Sequence, residues 1–191
     1  MSERFGPARE GHGEVEDRGS RFLAWVYPVR NEKELQAHLT ALRAGHPKAR
    51  HHCWAWRMED SYRFSDDGEP GGTAGRPLLQ ALESAGLEQA AVICVRYFGG
   101  VKLGTGGLVR AYAGAAAKAA EAAGRARIVV LQTVPLRLPF ARLGVRDEIA
   151  ALFPAAVVSG FFDESGWTGS VVLDSLQHGS LISFLAERGL R

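Results

Sequence analysis

Apolar positions along the chain change period several times, and each change marks an element. From Ser20 the run RFLAWVYPVR is aromatic and β-branched and predicts a strand, which Pro28 ends or places at an edge. Asn31 with Glu34 three residues on reads as a helix N-cap. Leu35, Leu39 and Leu42 then share one face until Gly45 and Pro47 stop the helix. HHCWAWRM, 51–58, alternates. His52, Trp54, Trp56 and Met58 point one way, and His51, Cys53, Ala55 and Arg57 the other. A helix follows the polar loop SDDGEPGGTAG, with Pro77 near its first turn and Gly86 at its end. Ala90–Tyr97 is nearly all apolar and predicts a central strand.

After that strand a glycine-rich turn gives way to a helix predicted from Thr105 to Gly124, whose many alanines let it lie close on a sheet. Arg127 to Gln132 is a further β-like run. The remainder reads as strand (133–140), helix (146–153), hairpin (156–162 with 167–173) and helix (180–188). That β-α-β-β-α order begins a ferredoxin-like unit, so the fold class is α+β in two domains, 20–127 and 128–191. Residues 1–19 are polar, rich in Gly and Glu and without period, and are expected to form a flexible arm.

Composition narrows the classes. In 191 residues no apolar stretch approaches the roughly 18 of a membrane span, and the N-terminus has no signal-like apolar segment. The expected location is cytoplasmic, with Cys53 and Cys94 as reduced core residues. The net charge of +2 conceals an uneven distribution: residues 20–125 carry 14 basic and 10 acidic side chains, and 126–191 carry 6 of each. The basic excess permits a phosphate-bearing partner without requiring one.

The segment CVRYFGGVKLGTGGLVRAY, 94–112, offers the clearest chemistry. Glycines 99, 100, 104, 106 and 107 precede or open a helix, where free backbone N–H groups meet the positive end of the helix dipole. Thr105 is the predicted N-cap. Leu108 stands where a capping box would place a carboxylate, and Lys102 and Arg110 could add charge-assisted bonds to a phosphate. The same glycines could equally serve only a tight turn and close helix packing. Neither GxxxxGK[ST] nor GxGxxG fits, so an ATPase or dinucleotide enzyme is unsupported. Asp66, Asp67 and Glu69 cluster without the spacing of a calcium loop, and are expected to cap turns or pair with Arg76 or Arg96. His51, His52 and Cys53 alternate across a strand and cannot grip one ion. No GxSxG or HExxH is present, and no metal or cofactor is expected.

These residues carry a resemblance. Arg50-His51-His52-Cys53, Phe64 to Pro70 with Gly72 to Gly75, Val95 to Gly100, Leu103 to Val109 and Ala111-Tyr112 closely resemble the IMPACT/YigZ family over roughly residues 20 to 125, and the end of the chain resembles its small C-terminal domain. The resemblance implies a β-α-β domain like domain IV of elongation factor G, then a ferredoxin-like domain like that factor's domain V. For eukaryotic members it implies regulation of translation through a protein partner that otherwise activates a stress kinase. Those members carry a further N-terminal partner-binding domain, which is not expected here. For the bacterial form, ribosome or nucleic-acid binding is inferred from the fold.

The expectation is therefore a non-enzymatic RNA- or ribosome-binding protein acting on translation, with Arg76, Arg96, Lys102, Arg110, His51 and His52 facing phosphate. Two alternatives stand beside it: an enzyme on a nucleotide or phosphorylated substrate using Asp66 or Asp67, and a module for a translation-related protein partner.

Overall fold

The computed structural model describes residues 3–190. They divide into two units, one ending at Ile128 and the other beginning at Val129. In chain order the first unit holds β1 (Phe5–Pro7), β2 (Gly11–Asp17), β3 (Ser20–Pro28), α1 (Glu32–Gly45), β4 (His51–Arg57), β5 (Tyr62–Ser65), α2 (Gly75–Ser84), β6 (Ala90–Tyr97), α3 (Gly104–Ala123) and β7 (Arg125–Arg127). Five of these strands make an antiparallel sheet in the order β2-β3-β6-β4-β5.

Helices cover both faces of this sheet, which explains the unbroken apolar run of β6. Leu23, Tyr27, Ile93 and Trp56 pack under α1 through Leu35 and Leu39. Phe22, Ala24, Cys53 and Val92 pack on the other face against Leu78 and Leu82 of α2 and Tyr112 of α3. Each large apolar side chain so buried stabilises the fold by about 1.5–3 kcal/mol. Alternation along β4 is what splits its side chains between the two cores. Asn31 caps α1 as its spacing predicts, its Oδ1 accepting from Glu34 N at 3.0 Å. Cys53 and Cys94 are free, buried and directly opposite one another on neighbouring strands.

The N-terminal segment differs from the expected flexible arm. β1 pairs with β7, and β2 pairs with β3 from Gly11↔Val26 to Asp17↔Ser20. The glycines mark contact instead of looseness. A Cβ at Gly13 would lie 2.4 Å from Ala119 N and 2.5 Å from Ala115 O, and one at Gly11 2.2 Å from Ala119 O. The alanine face of α3 therefore sits directly on the backbone of β2, and the strand's remaining residues are too polar to show an apolar period.

The second unit contains β8 (Leu131–Pro139), α4 (Gly144–Leu152), β9 (Val157–Asp163), β10 (Gly166–Asp174) and α5 (His178–Glu187). The predicted β-like run over 127–132 is interrupted, because β7 ends at Arg127 and β8 starts at Leu131. Its strand order is β8-β10-β9, the first three strands of a split β-α-β arrangement. Leu136, Leu138, Trp167, Ile149 and Leu181 form its core. Among the described residues no helix is long and apolar enough to cross a membrane.

Candidate functional site

Strand register builds one wall of the site. Arg96, one residue before the end of β6, is the Cα partner of Phe22 on β3 and of His51 on β4. Three side chains of different chemistry therefore stand in a row on the face that carries α2 and α3. Both Oε atoms of Glu69 accept from Arg96 Nη1, at 2.7 and 2.9 Å, and Tyr112 donates its hydroxyl to Oε1 at 2.7 Å. Arg96 and Glu69 are both buried, and the guanidinium lies near the rings of Phe22 (5.4 Å) and Phe98 (5.6 Å). The Tyr112 hydroxyl also accepts from Cys53 Sγ at 3.4 Å, and burial pushes both groups far above their ordinary pKa. His51 Nδ1 is 2.9 Å from the carbonyl oxygen of Asp67. A carbonyl only accepts, so Nδ1 carries the proton and Nε2 is left 4.0 Å from Glu69 Oε1.

The three carboxylates of the 66–70 loop have separate tasks. Asp66 accepts from the amides of Gly72, Ala74 and Gly75 at 2.8–2.9 Å and so caps the start of α2, which has no cap of its own. Burial raises its pKa, but these three amides together outweigh burial and hold it below its ordinary value. Asp67 accepts from His52 N at 2.7 Å and from Arg43 at 3.2 Å. Asp66 and Asp67 are thus committed to backbone and to α1, which removes the geometry that an acid/base or metal role for them requires. Only Glu69 reaches the site, and it pairs with Arg96. Among the described residues no group of three His, Cys, Asp or Glu side chains is placed to hold a metal ion.

The turn after β6 closes the site. A Cβ on Gly99 would lie 2.0 Å from the carbonyl carbon of Gly19, and Gly99 N donates to Ser20 Oγ at 3.0 Å. Gly99 therefore permits a backbone approach to the β2–β3 turn and does not face a ligand. The helix begins one residue earlier than predicted, at Gly104, and Leu103 occupies the N-cap position with no side-chain hydrogen bond. Thr105 is not the cap. It lies inside the first turn, whose amides are left without a side-chain acceptor.

Both loops border one cavity of about 520 Å3. Among the described residues its cationic lining is Arg50, Arg96 and Lys102, with His51 beside them, and its one carboxylate is Glu69. Phe98, Pro70, Leu103 and Leu108 supply apolar surface, and Gly104 and Thr105 bring the start of α3 to it. The structure thus brings together His51, Arg96, Lys102, Gly104, Thr105 and Glu69.

It separates the others. His52 points to the α1 face, where it is buried with Nε2 lacking a partner among the described residues, and burial lowers its pKa. Arg76 is exposed in the first turn of α2, and Arg110 is exposed on α3 with Nη1 near Gly106. Gly100, Gly106 and Gly107 are not in the lining, and Gly107 is buried against Leu103. Sequence reasoning missed Arg50, Phe98 and Tyr112 as site residues. Tyr112 carried a usable signal, because it stands four residues after Leu108 on the buried face of α3, and a buried tyrosine hydroxyl needs a partner.

An antiparallel sheet covered by helices on both faces, with an uncapped helix start opening on a basic cavity, followed by a small α+β unit, defines a two-domain class of protein. The family model described as the Impact N-terminal domain matches residues 18–120, and the chain belongs to the IMPACT family. The IMPACT family member in the pol 5′ region of Thermus thermophilus is 51% identical over 125 residues, which cover 65% of this chain and 68% of that protein. IMPACT family member YigZ of Escherichia coli is 47% identical over 100 residues, spanning about half of each chain. The crystal structure of a hypothetical protein, 31% identical, superposes with a TM-score of 0.71 over 100% of this chain and 96% of that one.

Proposed function

We propose that this protein is a non-enzymatic RNA-binding protein of the translation apparatus, which holds phosphate of its ligand in the cavity at the start of α3. One observation carries the reading: a 20-residue helix without a side-chain cap starts at a cavity whose walls hold Arg50, Lys102, His51 and Arg96. Backbone donors, the helix dipole and flexible cations all favour an anion there. Glu69, the carboxylate that the described residues bring to the lining, already accepts three hydrogen bonds from protein groups. The engagement of Asp66 and Asp67 with backbone amides supports binding over catalysis by those residues.

The link to translation rests on the family resemblance. The expected likeness of the first unit to domain IV of elongation factor G points the same way, toward ribosomal RNA and a cytoplasmic location. Single-stranded RNA binding measured between about 50 and 200 mM salt tests the reading. Log affinity should fall linearly with log salt, by about 0.7 per phosphate neutralised, and a salt-independent affinity would overturn it. Binding of a translation-related protein in place of RNA would appear as a pull-down that survives nuclease.

A further inference from the structure

We infer that the cavity takes a single nucleotide bearing a terminal phosphate, either free or as the end of an RNA, and not the continuous backbone of a strand; this rests on the phosphate-binding reading above. Its volume of about 520 Å3 lies within the roughly 300–1,000 Å3 of small-molecule sites. The charge of its lining sets the kind of phosphate. Arg50, Arg96 and Lys102 face one carboxylate, Glu69, so two positive charges remain before the helix dipole is added. A bridging phosphodiester brings one negative charge, whereas a terminal monoester brings about 1.5 to 2.

Arg96 supplies an observation independent of the helix start. It is 7% exposed, forms part of the cavity wall, and is held there by both Oε atoms of Glu69. Its charge is therefore fixed in the wall, where it acts on an anion in the cavity through space. Phe98 sets the rest of the ligand. This large apolar side chain is 51% exposed, lines the same cavity, and has the Arg96 guanidinium 5.6 Å from its ring centroid. An exposed aromatic ring beside phosphate-binding groups is a stacking platform for a base, and stacking of this kind tolerates any base.

The test uses the full chain with uridine 5′-monophosphate, inorganic phosphate, and short oligouridines carrying either a 5′-phosphate or a 5′-hydroxyl. The 5′-phosphorylated oligomer should bind about tenfold or more tighter than the hydroxyl form, and uridine monophosphate should compete with it. Phe98→Ala should weaken both phosphorylated ligands by about 5- to 150-fold, the equivalent of ~1–3 kcal/mol of base stacking, and leave inorganic phosphate unchanged. Phe98→Trp should restore binding. Equal, salt-dependent affinity for the two oligomers without competition by the mononucleotide would overturn the terminal-nucleotide inference and leave RNA binding standing. Mononucleotide binding without binding of either oligomer would support the inference with a free nucleotide as ligand and overturn the RNA reading. Binding of none of the probes would overturn both.

Discussion

Glu69 and Arg96 form a buried ion pair in the wall of the cavity, with side-chain exposures of 3% and 8%. Coulomb attraction at 2.7 Å works against the cost of taking both charges out of water, and the Tyr112 hydroxyl adds a further bond to the carboxylate. The pair orients a guanidinium that would otherwise rotate freely on its stem, and it keeps Arg96 from acting as a simple phosphate ligand.

Removing one partner should therefore be far worse than removing both. Glu69→Ala is expected to cost about 3–5 kcal/mol in urea unfolding, because Arg96 is left buried without a counter-charge. The double variant Glu69→Leu with Arg96→Met should recover most of that loss, since apolar replacement of a whole buried pair is often close to neutral. A double variant as unstable as the single one would show that the pair stabilises the fold in its own right.

Asp66 caps α2 from the loop that leads into it, so Asp66→Ala should destabilise by about 0.5–2 kcal/mol, as loss of a cap does. The pH dependence follows from its depressed pKa. The carboxylate's contribution is fully present above the unfolded value of about 3.9 and disappears as pH falls through the lower folded value. Stability curves of the two proteins should therefore be furthest apart near neutral pH and converge in acid.

Gly13→Ala places a methyl group 2.4 Å from Ala119 N and should cost about 1–3 kcal/mol in thermal unfolding, because neither the strand nor the helix can move independently. Glu16→Ala, on the same strand with its side chain exposed, should stay within about 0.5 kcal/mol. Equal, small effects would return residues 11–17 to the status of a loosely held arm.

Lys102→Ala and Arg50→Ala should each weaken RNA binding across sequences and lower the salt slope by about 0.7, the value for one phosphate contact on a single strand. Arg76→Ala, on the exposed start of α2 outside the cavity, should change neither affinity nor slope. Fluorescence anisotropy at several salt concentrations separates the two outcomes.

The local pattern alone determined much of the frame. Asn31 with Glu34 caps α1, alternation in 51–58 sends His51 and His52 to opposite faces, and the apolar run of 90–97 is the central strand. Each of these is set by neighbours a few residues apart, so sequence spacing suffices to read it. The motifs around the two glycine-rich loops likewise marked the family and the place where chemistry is concentrated.

Only the tertiary structure decided how those loops are used. In Ser65-Asp66-Asp67-Gly68-Glu69 the three acids look alike, and the folded loop assigns one to the start of α2, one to His52 N and Arg43, and one to Arg96. Gly11 and Gly13 resemble linker glycines until α3 is laid against them, because the contact joins residues about a hundred positions apart. The sequence left Arg96 open between pairing with one of these acids and facing phosphate, and the fold set it on Glu69, 27 residues away. Hydrogen bonds and close backbone approaches between distant segments leave no local period, so the site became legible when strand register placed Phe22, Arg96 and His51 side by side.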